Sequence, residues 1–423
     1  MQQLPALALA LLATLVATRL LMPLARRLGH HWGLVDRPSW RRRQKEAVPC
    51  SGGLAIYVVV VAAATTLWLT VGPAFAPGAI IALAVAGLCV LVLGVVDDRF
   101  GLHAEKKLLG QAIVATIPMA AGLTLESLWL PGLGVVQLGP ASGSITLLWY
   151  LGFINSINLI DGLDGLAGGI VAFVICAIFI GVAGIDPVGM IWSAVFFGAV
   201  TGFLRDNLSG QRIFLGDAGS MLLGLWLAGL ALGLGASTPT VPWLALCAML
   251  VPVLDTVSTI GRRWRRGASV FRPDAEHLHH RLLEVGVAPL RATVLLWAVT
   301  AAAAALGISG TVHWSALIVV VFGLAVASFE LAYALDRNDD PALSQVLGYI
   351  LGARRHLDAV HEVTSHLAEV IEIEAWRSRQ VQDTESRAAP SPQLTSDACK
   401  DELPPTERRE KSDVVLAIPE DRN

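Results

Sequence analysis

Apolar residues fall along this chain in long blocks, separated by short polar stretches. Roughly 17–25 apolar residues in a row are what a membrane-crossing helix needs. Eleven stretches fit that pattern: 4–25, 53–72, 78–96, 108–122, 143–160, 166–184, 188–204, 217–236, 241–260, 291–309 and 314–335, of which the fourth is short for a full span. The pattern predicts an all-α polytopic integral membrane protein with about eleven transmembrane helices. Past position 336 the character changes. Residues 336–380 carry apolar positions at helical spacing and predict one amphipathic cytoplasmic helix. Residues 381–423 are polar and contain proline, a composition that predicts a disordered cytoplasmic tail. The expected organisation is therefore a multi-pass domain over 1–335, followed by these two segments.

Charge orients the helices. With eleven spans, loops 26–52, 97–107, 205–216 and 261–290 share one side and hold the basic residues, among them Arg26, Arg27, Arg41, Arg42, Arg43, Lys45, Lys106, Lys107, Arg262, Arg263 and Arg281. The opposite loops contain no lysine or arginine. Basic loops stay cytoplasmic, so the expected N-terminus is outside and the C-terminus inside. Met1 to Ala10 carries no basic residue ahead of its apolar run, unlike a signal peptide, so the first helix is expected to be retained. Composition fits the same picture. The chain is 54% hydrophobic and 15% charged, against about 25% charged in a soluble chain. The net charge of −3 reflects basic loops cancelling an acidic tail, and nucleic acid is not an expected partner. Five cysteines show neither paired nor metal-like spacing, and no disulfide is expected. The sequon at Asn207 lies in a loop assigned to the cytoplasm and is discounted.

Four polar clusters break the apolar pattern, all at predicted cytoplasmic helix ends. They are "GVVDDRFGLHAEKKLLGQ" with Asp97 and Asp98, "NSINLIDGLDGLAGG" with Asp161 and Asp164, "IFLGDAGS" with Asp217, and "FRPDAEHLHHRLLEVG". One aspartate at a helix end is ordinarily just solvated. Five meeting at one membrane face would repel, and need lysines, arginines or a divalent metal. Asn155, Asn158 and Asp161 are three apart and form a polar stripe on a helix, which Gly162 and Gly165 should end, leaving Asp164 on a tight turn. Carboxylate and amide oxygens suit hard cations, and magnesium typically combines one or two carboxylates with waters and phosphate oxygens. In "GDAGS", Asp217 or Ser220 is expected to cap a helix whose N-terminus and close glycine backbone would suit an anion. Asp274 and Gly286 bracket an expected helix over 275–285 that puts His277 and His280 on one face, with Arg281 one turn on from His277. These groups suit phosphate or nucleobase contacts better than zinc, whose helical histidine pairs are usually four apart. Within the predicted spans the only basic or acidic residue away from an end is expected to be Arg19, placed to snorkel.

Together with "GLVDRPS…VPCSGGLAIY", these stretches resemble, in order, the motifs of the polyprenyl-phosphate N-acetylhexosamine-1-phosphate transferase superfamily (glycosyltransferase family 4), specifically its WecA/TagO-type branch, over about residues 1–335. The resemblance implies an enzyme that transfers N-acetylglucosamine-1-phosphate, or a related N-acetylhexosamine-1-phosphate, from a UDP-sugar to undecaprenyl phosphate. UMP is released, Mg²⁺ is required (Mn²⁺ is the alternative cation), and lipid-linked cell-envelope polysaccharide synthesis begins. It implies a bacterial inner-membrane location with the active site on the cytoplasmic face; a homodimer is left open. By that resemblance the catalytic carboxylates are Asp97, Asp98, Asp161 and Asp164. Asp97 and Asp98 lie beside the lipid phosphate, with one of them a candidate base, and Asp161 and Asp164 shape the nucleotide-sugar pocket or a second metal shell. Asp217 and Asn158 are the metal ligands. Lys45, Lys107, Asn155, His277, His279, His280 and Arg281 hold phosphates and the nucleotide. A covalent aspartyl-phosphate route is the alternative mechanism. The sequence departs from the branch at Gln44, Cys50 and Glu105, where basic side chains are usual.

Three other readings are weaker. The phospho-MurNAc-pentapeptide transferase branch tends to carry three consecutive histidines, which "HLHH" does not match. CDP-alcohol phosphotransferases need a later Gly-x-x-x-Asp-x-x-x-Asp that does not follow Asp164. An ion-coupled transporter would place its carboxylates near mid-bilayer, whereas these lie at predicted span ends.

Overall fold

The computed structural model describes residues 4–36, 47–70, 72–73, 76–208, 213–267 and 277–310. Every predicted apolar run within those residues is helical. In chain order the helices are α1 (Leu4–His31), α2 (Gly52–Thr70), α3 (Pro77–Phe100), α4 (Ala104–Ala120), α5 (Ser142–Ile160), α6 (Leu166–Val182), α7 (Pro187–Leu208), α8 (Gly216–Gly235), α9 (Val241–Ala248), α10 (Leu250–Arg265), α11 (Leu278–Glu284) and α12 (Pro289–Gly310). Seven of them are long and apolar enough to cross a membrane, and an eighth span results if α9 and α10 count as one. This is a helical polytopic membrane protein. The predicted span 314–335, the amphipathic segment 336–380 and the tail 381–423 lie outside the described residues, as do Gln44, Lys45 and Asp274.

The ninth apolar run, expected as one helix over 241–260, is broken in two. α9 and α10 meet at Met249 with a bend of 63°. Pro252 explains the break, because it lacks the N–H that would bond the carbonyl of Ala248. The fourth and sixth runs give helices of only 17 residues each.

Helix α8 is the axle of the bundle. Every residue from Ala218 to Leu234 is buried, as expected of a helix that is apolar all round. It packs on α2, α3, α5, α6 and α9. Small residues make the close approaches: a Cβ on Gly94 of α3 would lie 2.2 Å from the Ala218 Cα, and one on Gly53 of α2 would lie 2.3 Å from the Gly219 Cα. Membrane helices associate through such contacts, since lipid supplies no hydrophobic drive between them. Helix α1 lies at the edge. Its buried positions Thr14, Thr18, Met22, Ala25 and Gly29 form one stripe, over which Gly198 and Gly202 of α7 pack closely.

Two small antiparallel pairs join the helices. Strands β1 (Val35–Asp36) and β2 (Val48–Pro49) pair after α1. The chain then runs beside the approach to α8: Phe214 donates its N–H to the Pro49 carbonyl at 2.8 Å, and Gly52 donates to that of Phe214 at 2.9 Å. Strands β3 (Ser127–Leu130) and β4 (Gly134–Gln137) form a hairpin at the opposite end of the bundle, where Trp129 meets Trp243 edge-on.

Candidate active site

A cleft of about 790 Å³ opens at the end of the bundle where α3, α5 and α7 finish and α6 and α8 begin. Its lining includes Asp36, Asp97, Asp98, Asp161, Asp164 and Asp217, with Asn158, Asn207 and His280. Among the described residues no lysine or arginine lines it. All five aspartates expected to converge from three distant stretches do so.

The two consecutive aspartates of α3 point to different neighbours. Asp97 accepts the Leu102 N–H at 2.7 Å and pairs with Lys107 Nζ at 2.8 Å. Asp98 accepts the backbone N–H groups of Asp217 and Ala218, at 3.0 and 3.2 Å. These are the second and third residues of α8, whose N-terminal donors have no partner within the helix. Asp98 thus caps α8 from across the bundle, and its negative charge suits the helix dipole. This corrects the expectation that Asp217 or Ser220 would cap the helix, and that its N-terminus stands free for a substrate anion. Gly219 likewise serves packing against Gly53. Gly216, with φ of 68°, makes the left-handed turn into α8 that glycine tolerates best.

Asp217 is occupied by Lys107 and Asn158. Lys107 Nζ lies 3.1 Å from Asp217 Oδ2 and 2.9 Å from Asn158 Oδ1. Asn158 Nδ2 donates to Asp217 Oδ1 at 2.6 Å and to Ser220 Oγ at 2.9 Å. The expected ligand pair Asp217 and Asn158 is therefore in contact, around a lysine. Among the described residues no group of three or more histidine, cysteine, aspartate or glutamate side chains is arranged to hold a metal ion.

The stripe on α5 splits into two roles. Asn158 reaches the cleft, but Asn155 does not. Its Nδ2 donates to Gln111 Oε1 at 2.8 Å and ties α5 to α4. α5 ends at Ile160 as expected, and the turn through Asp164 leads into α6 at Gly165, with φ of 77°. The Gly165 N–H donates to Asn207 Oδ1 at 2.6 Å, and Asn207 Nδ2 donates to the Ile213 carbonyl at 3.0 Å. Asn207, read in the sequence as a discarded sequon, is a buried clamp in the cleft wall. Burial pushes the Asp161 carboxyl well above the usual carboxylate range, with the charges of Asp217, Asp98 and Asp164 adding to the effect. Burial also raises Asp164.

The histidine stretch divides between the cleft and the protein interior. His277 precedes α11, and its Nδ1 lies 3.0 Å from Asp255 Oδ2. His277 and Arg281 are buried and do not line the cleft. His279 is 1% exposed, and neither ring nitrogen has a partner among the described residues. Its Nε2 sits 2.0 Å from where a Cβ on Gly162 would be. Burial lowers the His279 imidazole to about 3, with His280 contributing. Of the group, His280 is the one that lines the cleft. Asp255 also corrects the expectation that Arg19 stands alone inside a span. It is a carboxylate within the broken ninth run, and a charge inside an apolar stretch is the signal that could have found it. Of the three departures, Cys50 lines the cleft, Glu105 is exposed and does not, and Gln44 lies outside the described residues.

The carboxylates gather at one end of the apolar bundle, whereas a transport path places its charges near mid-bilayer. The pattern of glycosyl transferase family 4 matches residues 80–235, the stretch carrying Asp97, Asp98, Lys107, Asn158, Asp161, Asp164 and Asp217. The chain is 34% identical over 327 residues to a decaprenyl-phosphate N-acetylglucosaminephosphotransferase of Mycolicibacterium smegmatis, covering 69% of this chain and 79% of that protein. It is 36% identical over 304 residues to the protein of that name from Mycobacterium tuberculosis, covering 64% and 74%. It is 31% identical over 309 residues to the undecaprenyl-phosphate alpha-N-acetylglucosaminyl 1-phosphate transferase of Escherichia coli, covering 70% and 82%. The chain belongs to glycosyl transferase family 4, together with these polyprenyl-phosphate sugar-phosphate transferases.

Proposed function

We propose that this protein transfers N-acetylglucosamine-1-phosphate from UDP-N-acetylglucosamine to a polyprenyl phosphate, releasing UMP and starting a lipid-linked envelope polysaccharide. An oxygen of the lipid phosphate attacks the phosphorus that bears the sugar. The bond from that phosphorus to the bridging oxygen breaks, and UMP leaves. In this reading eleven spans put the N-terminus outside and the C-terminus in the cytoplasm. The cleft then opens on the cytoplasmic face of the bacterial inner membrane, where nucleotide sugars are made.

One observation carries the reading: six carboxylates line the described cleft, and the ammonium beside them, Lys107, is already held by Asp97 and Asp217. Two phosphates cannot meet there without cations. The residues present suit a divalent one, because the donors are carboxylate and amide oxygens, as Mg²⁺ requires. Asp217 and Asn158 would hold it, and its role would be to offset charge on the diphosphate. Lys107 bridges Asp97 and Asp217 and keeps both from repelling each other as substrates enter. Asp98, spent on the α8 amides, positions that helix. Asp161 and Asp164 border the donor side, beside His280.

The test uses purified protein in detergent, with undecaprenyl or decaprenyl phosphate, Mg²⁺ and a panel of UDP-sugars. UMP release and lipid product are followed, with Asp217→Asn alongside. Turnover with UDP-N-acetylglucosamine, abolished by chelation and in the variant, is the expected result. Turnover restricted to UDP-MurNAc-pentapeptide would move the protein to the other branch, and silence with every donor would overturn the reading.

A further inference from the structure

Asp255 joins two elements that the chain separates by 22 residues. It is 6% exposed on α10, and both carboxylate oxygens are used. Oδ2 lies 3.0 Å from His277 Nδ1, and Oδ1 accepts the Leu278 N–H at 2.9 Å. An ionised carboxylate only accepts, so His277 Nδ1 carries the proton. The carboxylate also satisfies a backbone donor at the start of α11, a helix without a side-chain cap of its own. The next residue on α10, Thr256, donates to Ser156 Oγ of α5 at 3.1 Å, and its hydroxyl also lies 2.9 Å from the Pro252 carbonyl. The bracket is therefore anchored to the helix that carries Asn158 and leads to Asp161.

Through what the bracket holds, one histidine reaches the cleft. The His279 ring lies parallel to His277, at 4° and 6.0 Å between centroids, and abuts Gly162. His280 packs against His279 at 4.1 Å and lines the cleft. Among the described residues neither nitrogen of this buried imidazole has a partner, and packing against the Asp161–Asp164 turn and the ring beside it sets its orientation.

We propose that Asp255 is a positioning residue for the donor nucleotide-sugar: by fixing the His277 tautomer and the start of α11, it sets His279 and His280 against the Asp161–Asp164 turn. The proposal rests on the function proposed above. Asp255 touches no substrate and acts through the histidines.

The test compares Asp255→Asn, Asp255→Glu and Asp255→Leu in the detergent assay, varying UDP-sugar and lipid acceptor separately. Asparagine keeps an acceptor for the Leu278 N–H but offers His277 an N–H, which turns the ring to the other tautomer. The expected result is a tenfold or greater rise in KM for the UDP-sugar in the Asn and Leu variants. KM for the lipid should stay within twofold, and Glu should restore much of the loss. In parallel, ¹⁵N-histidine NMR, assigned with His277→Gln, reads the tautomer without any turnover. Nδ1–H in the wild type and Nε2–H in Asp255→Asn are expected. Unchanged KM for the donor, equal effects on both substrates, or an Nε2–H tautomer in the wild type would overturn the proposal. If the wild type turns over no donor, the proposed function fails, and the NMR arm still decides whether the bracket exists.

Discussion

Lys107 is the cation around which the acidic cluster closes, and its removal has a calculable consequence. All three ammonium donors are engaged: Asp97 at 2.8 Å, Asp217 at 3.1 Å and Asn158 at 2.9 Å. Its side chain is only 15% exposed, so water cannot easily replace it. Lys107→Met leaves two carboxylates facing each other across the gap. Removing one partner of a buried ion pair costs about 3–5 kcal/mol. At roughly 2 °C per kcal/mol, the low end for large domains, melting in detergent should fall by about 6–10 °C in metal-free buffer. Two controls separate charge from packing. Adding Asp97→Asn to Lys107→Met should restore part of the loss, since coupled neighbours are not additive. Mg²⁺ should raise the melting temperature of Lys107→Met by more than it raises that of the wild type, because the variant's carboxylates are bare. A variant melting within about 2 °C of wild type, with no added Mg²⁺ response, would refute the view that this lysine balances the cluster.

Three further outcomes follow from the geometry. Gly94→Ala puts a methyl 2.2 Å from the Ala218 Cα, which is backbone and cannot turn aside; an overpacking loss of about 1–3 kcal/mol or more and a fall in turnover are expected, and unchanged thermal unfolding with full activity would disprove the contact. Asn207→Ala removes two buried hydrogen bonds, from the Gly165 N–H and to the Ile213 carbonyl, and should cost about 1–3 kcal/mol in the same unfolding assay. His279 binds a proton near pH 6.5 when unfolded but at about 3 when folded; the unfolded chain thus holds more protons between these values, and stability falls as pH drops below 6.5, by up to about 1.4 kcal/mol per unit. His279→Gln should flatten that slope between pH 6.5 and 4, and parallel curves for the two proteins would contradict it.

The helices and the meeting of the five aspartates were legible because each rests on a local signal: a long apolar run, or a charge where an apolar run ends. Partners were not legible. Asp97 and Asp98 are neighbours in sequence, yet one serves a lysine on the next helix and the other the amides of a helix 119 residues away. Asn155 and Asn158 share a stripe, but Gln111 takes the first, a pairing that depends on how α4 lies against α5. Asn207 was read through its motif, whereas its role follows from where Gly165 and Ile213 arrive. Asp255 was hidden by the averaging that finds spans, because one carboxylate barely alters a 20-residue run. The cause of the break at Met249 was visible in the sequence as Pro252, but a proline alone does not tell a kink from a full separation.

The burial of α8 on every side has a mechanical meaning. A helix that touches lipid must answer to the bilayer, tilting or shifting when its thickness changes. From Ala218 to Leu234, α8 touches protein instead, and Asp217 rides at its head with Asp98 pinned to its first free amides. The outer helices, α1 above all, take up whatever the membrane imposes. Asp217 is thereby mounted on a shaft that protein surrounds from Ala218 to Leu234.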